Sequence, residues 1–231
     1  MDLSFDSFVL AASTADLTDE PAARDVADAV EFRMDLADAP LDALDRYDGS
    51  LPILATNRAA WEGGESDAAE SDRLDALVAA AEFDAVSAVD IELASLRDEM
   101  GSDAAAEARA AGATVVASVH DFDRTPPRSE LLALLHEAAT LGDVGKLAVT
   151  ARSNADALRL LDATQTATEW GDTVATMAMG EAGRHTRAVA PVYGSKIGYA
   201  PVEPEDATAP GQYDAQTLRS LVADLSDNPD V

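Results

Sequence analysis

The chain has no cysteine among its 231 residues, which excludes disulfides, a thiol nucleophile and zinc–thiolate coordination. Lysine is nearly missing as well, with only Lys146 and Lys196, and Lys plus Arg total 16 against 44 Asp plus Glu, a formal charge of -28. A surface of that sign speaks against nucleic acid and against anionic membranes as partners. No apolar run approaches the roughly 18 residues of a membrane span. The opening Met1-Asp2-Leu3-Ser4-Phe5-Asp6 lacks the basic flank of a secretion signal, so the reading is a cytoplasmic protein. Gly-x-Gly-x-x-Gly and P-loop patterns are also missing, and Gly194-Ser195-Lys196-Ile197-Gly198 is not a hydrolase elbow. The three histidines, His120, His136 and His185, lack metal-ligand spacing. Neither a metal nor a cofactor is expected.

The abundant features are acid and short apolar runs. Acidic residues are spread along helix-like segments, as in Asp16 to Asp28 and Glu62 to Asp75, rather than gathered in a tail. Dispersed repulsion of this kind destabilises a compact state in dilute solution, whereas at molar salt the Debye length falls to about 3 Å and screens most of it. The composition is that of a protein adapted to high salt. Hydrophobic residues still make up 47% of the chain, enough for a substantial core.

Buried-strand patterns recur at nearly even intervals: Phe8 to Ala12, Ala29 to Leu36, Leu51 to Thr56, Ala85 to Leu93, Thr114 to Val119, Val144 to Thr150, Thr173 to Met179 and Val189 to Tyr193. Ala-, Leu- and Glu-rich stretches with helical spacing lie between most of them, such as Asp72 to Glu82, Ser129 to Leu141 and Ala155 to Thr168. Thr125-Pro126-Pro127 supplies a capping hydroxyl and prolines ahead of the second of these helices. Eight strands alternating with helices in this length predict a single-domain (β/α)8 barrel over residues 1–231, with an open doubly wound sheet as the runner-up.

In such a barrel, chemistry sits at the C-terminal ends of the strands. The ionisable residues there are Glu31, Arg33 and Asp35 on one face of the second strand, then Thr56, Arg58 and Glu62 after the third, and Asp90 with Glu92 on the fourth. His120-Asp121 ends the fifth strand and Lys146 lies inside the apolar run of the sixth. Met177 and Met179 alternate on the seventh, and Arg187 follows it. A lysine in an apolar strand is a candidate imine-forming nucleophile. Arginines nearby are expected to lower its pKa and to hold an anionic substrate in bidentate fashion. His120, with an ordinary pKa near 6.5, suits proton transfer beside an iminium carbon, and a carboxylate such as Glu62 orients it.

Six segments carry a family pattern in order: Glu31-Phe32-Arg33-Met34-Asp35, Thr56-Asn57-Arg58 with Glu62-Gly63-Gly64, Ser118-Val119-His120-Asp121-Phe122, Gly145-Lys146-Leu147-Ala148-Val149, Met177-Ala178-Met179-Gly180 and Ala209-Pro210-Gly211-Gln212. With them the chain resembles the type I 3-dehydroquinate dehydratases of the shikimate pathway. The resemblance implies that Lys146 forms an imine with the C3 carbonyl of 3-dehydroquinate. His120 would remove a C2 proton and assist loss of the C1 hydroxyl as water, with Glu62 assisting His120. It implies substrate-binding roles for Glu31, Phe32, Arg33, Arg58, Arg187 and Gln212, and a pocket lined by Met177, Met179 and Tyr199. Thr208 stands where the family usually has serine and keeps a hydroxyl; Tyr199 stands where another aromatic is common. Pairing into a homodimer through outer helices is a further implication.

Two other readings fit the residues less well. A class I aldolase shares the barrel and the imine, but most such enzymes want a glycine-rich phosphate site after strands seven and eight, of which Gly180 to Gly183 is only a weak hint. A barrel that merely binds an acidic metabolite has no use for both Lys146 and His120.

Overall fold

The chain, described here by a computed structural model over residues 3–201 and 211–225, forms eight strands in one parallel sheet. They are β1 Val9–Thr14, β2 Ala29–Arg33, β3 Ile53–Thr56, β4 Val86–Glu92, β5 Thr114–Asp121, β6 Val144–Thr150, β7 Val174–Met179 and β8 Ile197–Pro201. Neighbours pair in chain order from β7 back to β1, and β1 pairs with β8. The β7 and β8 ends are drawn together by Lys196 N–H donating to Val174 O at 2.8 Å and Thr176 N–H donating to Ser195 Oγ at 2.9 Å. The result is a nearly closed (β/α)8 barrel.

Helices follow each strand: α1 Glu20–Ala23, α2 Pro40–Asp45, α3 Glu70–Ala81, α4 Leu93–Leu96 with α5 Glu99–Ala110, α6 Arg128–Leu141, α7 Asn154–Glu169, α8 Thr186–Val189 and α9 Ala215–Leu225. Alternation along the strands divides the core into two shells. Outward residues such as Val30, Phe32, Val89 and Ile91 pack under the helices with Leu74 and Leu77 of α3. Inward residues are small or branched: Val9, Ala29, Leu54, Ala88, Val116 and Ile197 fill the lower barrel, with Phe5 against them. Gly145 shows how closely a helix lies on the sheet, since a Cβ there would come 2.8 Å from the Ala139 backbone nitrogen and 2.9 Å from Leu135 O.

Three local expectations give way to the structure. The run Val189 to Tyr193 is not the eighth strand: Thr186–Val189 is helical and Ala190–Tyr193 is a 3-10 turn. Pro191 is the reason, because it has no N–H to give a sheet ladder and its fixed φ suits the first turn of a helix. The strand proper begins at Ile197, paired with Val9, and places Tyr199 beside Ala11. Strand β2 stops at Arg33, and Met34–Leu36 forms a 3-10 turn, so Asp35 no longer alternates with Glu31 and Arg33. At α6 the N-cap is Pro127, and the Thr125 hydroxyl donates instead to Thr150 O at 2.9 Å, tying the β5–α6 loop to β6.

Candidate active site

Above the apolar lower barrel, the inward positions turn polar. Lys146 on β6 is 4% exposed, and its Nζ donates to Asp90 Oδ2 of β4 at 2.9 Å, with Glu31 Oε1 of β2 at 3.7 Å. Nζ also lies 4.1 Å from the centroid of the Tyr199 ring. The charged groups touching this amine are therefore carboxylates rather than the arginines expected from the sequence. Arg58 reaches it only across Asp90, whose Oδ1 accepts from Arg58 Nη2 at 2.7 Å and from Ser118 Oγ at 2.6 Å. Burial works against an ionised Asp90, but Arg58 and then Lys146 outweigh it and its pKa is lowered. Burial likewise opposes the charge on Arg58, and the carboxylates of Asp90, Glu92 and Glu62 outweigh that, raising its pKa.

His120 closes the C-terminal end of β5. Its Nδ1 lies 2.9 Å from Glu62 Oε1, and the same oxygen accepts its backbone N–H at 3.0 Å. One carboxylate thus fixes both the ring and the main chain of the histidine. Burial, followed by Arg58 and Lys146, pushes the imidazole pKa well down. Burial, followed by the neighbouring Glu92 and Asp90 charges, raises Glu62 to about 8 against the pull of Arg58. Phe122 stacks on His120 with ring centroids 5.9 Å apart. Gly63, at φ 81°, lets that ring close over the loop, because a Cβ there would sit 2.4 Å from the Phe122 ring.

On the far wall, Arg187 of α8 is 5% exposed, and its Nε has no hydrogen-bond partner among the described residues. Burial lowers its pKa to about 10 against the opposing pull of Tyr213, and a buried guanidinium of this kind suits an anionic ligand. Arg33, by contrast, is paired in bidentate fashion with Asp35 at 2.6 and 2.9 Å. The Tyr199 hydroxyl is buried without a partner among the described residues, and its pKa is raised first by burial and then by Glu31 and Asp90.

One cavity brings together Lys146, His120, Glu62, Glu31, Arg33, Arg58, Met177, Met179, Arg187, Tyr199 and Gln212, with Thr56, Gly63, Phe122 and Ala148. Phe32 does not join it, since its side chain is fully buried on the outer face of β2 under the helices. Thr208 lies outside the described residues. Asp90, Ser118 and Phe122 are the groups the sequence left without a role. The period-two alternation that sets Asp90 beside Glu92 and Ser118 beside His120 is the signal that finds the first two. Among the described residues no cluster of three His, Asp or Glu is disposed to hold a metal ion.

The arrangement offers a buried amine bridged to a carboxylate, a neutral imidazole within the same cavity, and a waiting guanidinium. A family model described as Type I 3-dehydroquinase matches residues 8–229. The 3-dehydroquinate dehydratase of Haloquadratum walsbyi is 58% identical over 232 residues, covering 97% of this chain and 95% of the relative. That of Haloarcula marismortui is 58% identical over 226 residues, covering 96% and 98%. Both organisms are haloarchaea, in keeping with the acidic composition. Among solved structures, 3-dehydroquinate dehydratase from Geobacillus kaustophilus superposes with a TM-score of 0.84 at 29% identity, over 95% of this chain and 91% of that one.

Proposed function

The chain belongs to the type I 3-dehydroquinase family of hydro-lyases, and from that premise we propose that it converts 3-dehydroquinate to 3-dehydroshikimate and water through an imine on Lys146. That reaction is a step of the shikimate pathway to aromatic amino acids. The observation that carries the reading is the convergence of Lys146, the His120–Glu62 pair and the buried Arg187 on one cavity.

Lys146 attacks the C3 carbonyl carbon as the free amine, and the carbonyl oxygen leaves as water with one proton from Nζ and one from an acid of the cavity, which leaves a protonated C=N bond to Nζ. The iminium places its positive charge where Asp90 and Glu31 already face Nζ, so the carboxylates compensate the charge of the intermediate. His120, neutral because burial depresses its pKa, takes a C2 proton, whose electrons move into the C2–C3 bond. Departure of the C1 hydroxyl then forms the C1–C2 double bond, and the imidazolium returns its proton to that leaving oxygen. Water hydrolyses the remaining imine, giving the product ketone and the free amine. Arg187 holds the substrate carboxylate with two parallel N–H donors, one of them the buried Nε that has no partner among the described residues.

Borohydride reduction in the presence of 3-dehydroquinate tests the proposal. The reduced ligand should be found on Lys146 and not on Lys196, whose Nζ donates to Asp6 O at 2.6 Å near the opposite, N-terminal end of the barrel. Lys146→Ala should take up none. Labelling of Lys196 alone, or no label on folded wild-type protein, sinks the mechanism.

A further inference from the structure

Behind Asp90 and Arg58 the polar network leaves the barrel and ends in a helix. Glu92, fully buried at the end of β4, accepts through Oε1 from Arg58 Nη1 at 2.9 Å and from the Ala59 backbone N–H at 3.1 Å. Its Oε2 forms an ion pair with Nη1 of Arg73 at 2.8 Å without hydrogen-bond geometry, and Arg73, on α3, is 1% exposed. The hydrogen bond of Arg73 Nη1 goes to Asn57 O at 2.9 Å, and Asn57 Nδ2 donates back to Arg73 O at 3.2 Å. The remaining donors of Arg73 are taken by Glu70 at 2.7 and 3.1 Å and by Ser95 Oγ at 3.2 Å.

The consecutive residues Asn57, Arg58 and Ala59 are thus gripped from outside the cavity by one carboxylate and one guanidinium. Stability alone does not call for such a device. Desolvating two charges is expensive, and apolar residues of the same volume in such a place are often neutral or stabilising. What the clamp does fix is the position of Arg58, and through Asp90 the ion pair on Lys146. The same loop runs on to Glu62, which holds His120.

We infer that Arg73 is a positioning residue for the reaction: with its hydrogen bonds to Asn57 and its ion pair to Glu92 it locks the Asn57–Ala59 segment, and so sets Arg58 against Asp90 and Lys146 without touching substrate. The inference rests on the proposed imine chemistry only for its kinetic arm. In a double-mutant cycle on kcat/KM for 3-dehydroquinate, Arg73→Met and Glu92→Gln should each cost about tenfold or more. The double variant should be no worse than the poorer single within about twofold, because Arg73 and Glu92 hold the same three-residue segment and either loss releases it. Arg73→Lys, which keeps the charge but cannot serve Asn57 and Glu92 together, should recover part of the loss and replaces Arg73→Met in the cycle if that variant does not fold.

The second arm needs no substrate. The groups facing His120 are Glu62, Arg58, Lys146, Asp90 and Arg33. Of these the Arg73 variant releases Arg58, a cation that depresses the imidazole pKa. The His120 ring resonance, one of three from histidine, should therefore titrate at higher pH than in wild type. Costs that simply multiply in the double variant, or a His120 titration that does not move, overturn the inference. Wild-type protein with no turnover of 3-dehydroquinate would instead defeat the proposed function while the titration still decides the role of Arg73.

Discussion

Glu62 is the residue whose charge state most directly links the chemistry to stability. Its folded-state pKa of about 8, against an ordinary 4.5, is set first by burial and then by Glu92 and Asp90. Between those values the folded chain holds a proton that the unfolded chain has released, so the stabilising contribution is complete below about 4.5 and is lost as the pH rises to about 8. Glu62→Gln keeps an acceptor for both nitrogens of His120 and removes the titration. It should equal wild type at pH 5 and exceed it at pH 9 by on the order of a few kcal/mol at most, while turnover falls by about 10- to 100-fold. Chemical unfolding of both proteins at the two pH values in molar KCl provides the check, and a stability difference that does not grow with pH counts against it. Burial is also what hid part of the site from the sequence. Lys146, His120 and Glu62 stand out because few uses exist for those groups at strand ends. Phe32 belongs to the same motif as Glu31, and only the pleat of β2 turns it away from the cavity.

At the scale of elements, the site depends on how closely α6 lies on β6, because Gly145 immediately precedes Lys146. Gly145→Ala places a methyl against Ala139 N and Leu135 O of the α6 backbone, where no flexible side chain can yield. The helix must shift instead, at a cost of about 1–3 kcal/mol. A lowered midpoint of chemical unfolding at saturating salt is the expected result, and an unchanged midpoint would show that the helix is free to move. Seven of the strand positions were legible because parallel strands covered on both faces read as continuous apolar runs. The eighth was not, since Gly198 and the mixed Ile197–Pro201 look less strand-like than the apolar Val189 to Tyr193, and only Pro191 betrays that run. Gly198 is explained by its surroundings: a Cβ there would meet the Phe8 ring at 2.6 Å. Arg73 was equally hidden, because a lone arginine on the apolar stripe of a helix has no local feature that separates a buried clamp from a solvated end.

For the whole molecule, charge governs. With a formal charge of -28, compactness requires that self-repulsion be screened, and an anionic substrate must approach a surface of its own sign. Both the unfolding midpoint and kcat/KM should therefore climb as KCl is raised from about 0.2 M toward molar concentrations, where the Debye length is near 3 Å. A protein that stays folded and fully active at the low end refutes this. The near-loss of lysine has a practical side as well. Lys146 is shut inside the barrel, so amine-directed coupling finds Lys196 as the one accessible side-chain amine among the described residues. Lys196 lies just before β8, at the end of the barrel remote from the cavity mouth. A support coupled there would hold each molecule in one orientation, with its mouth facing the solution.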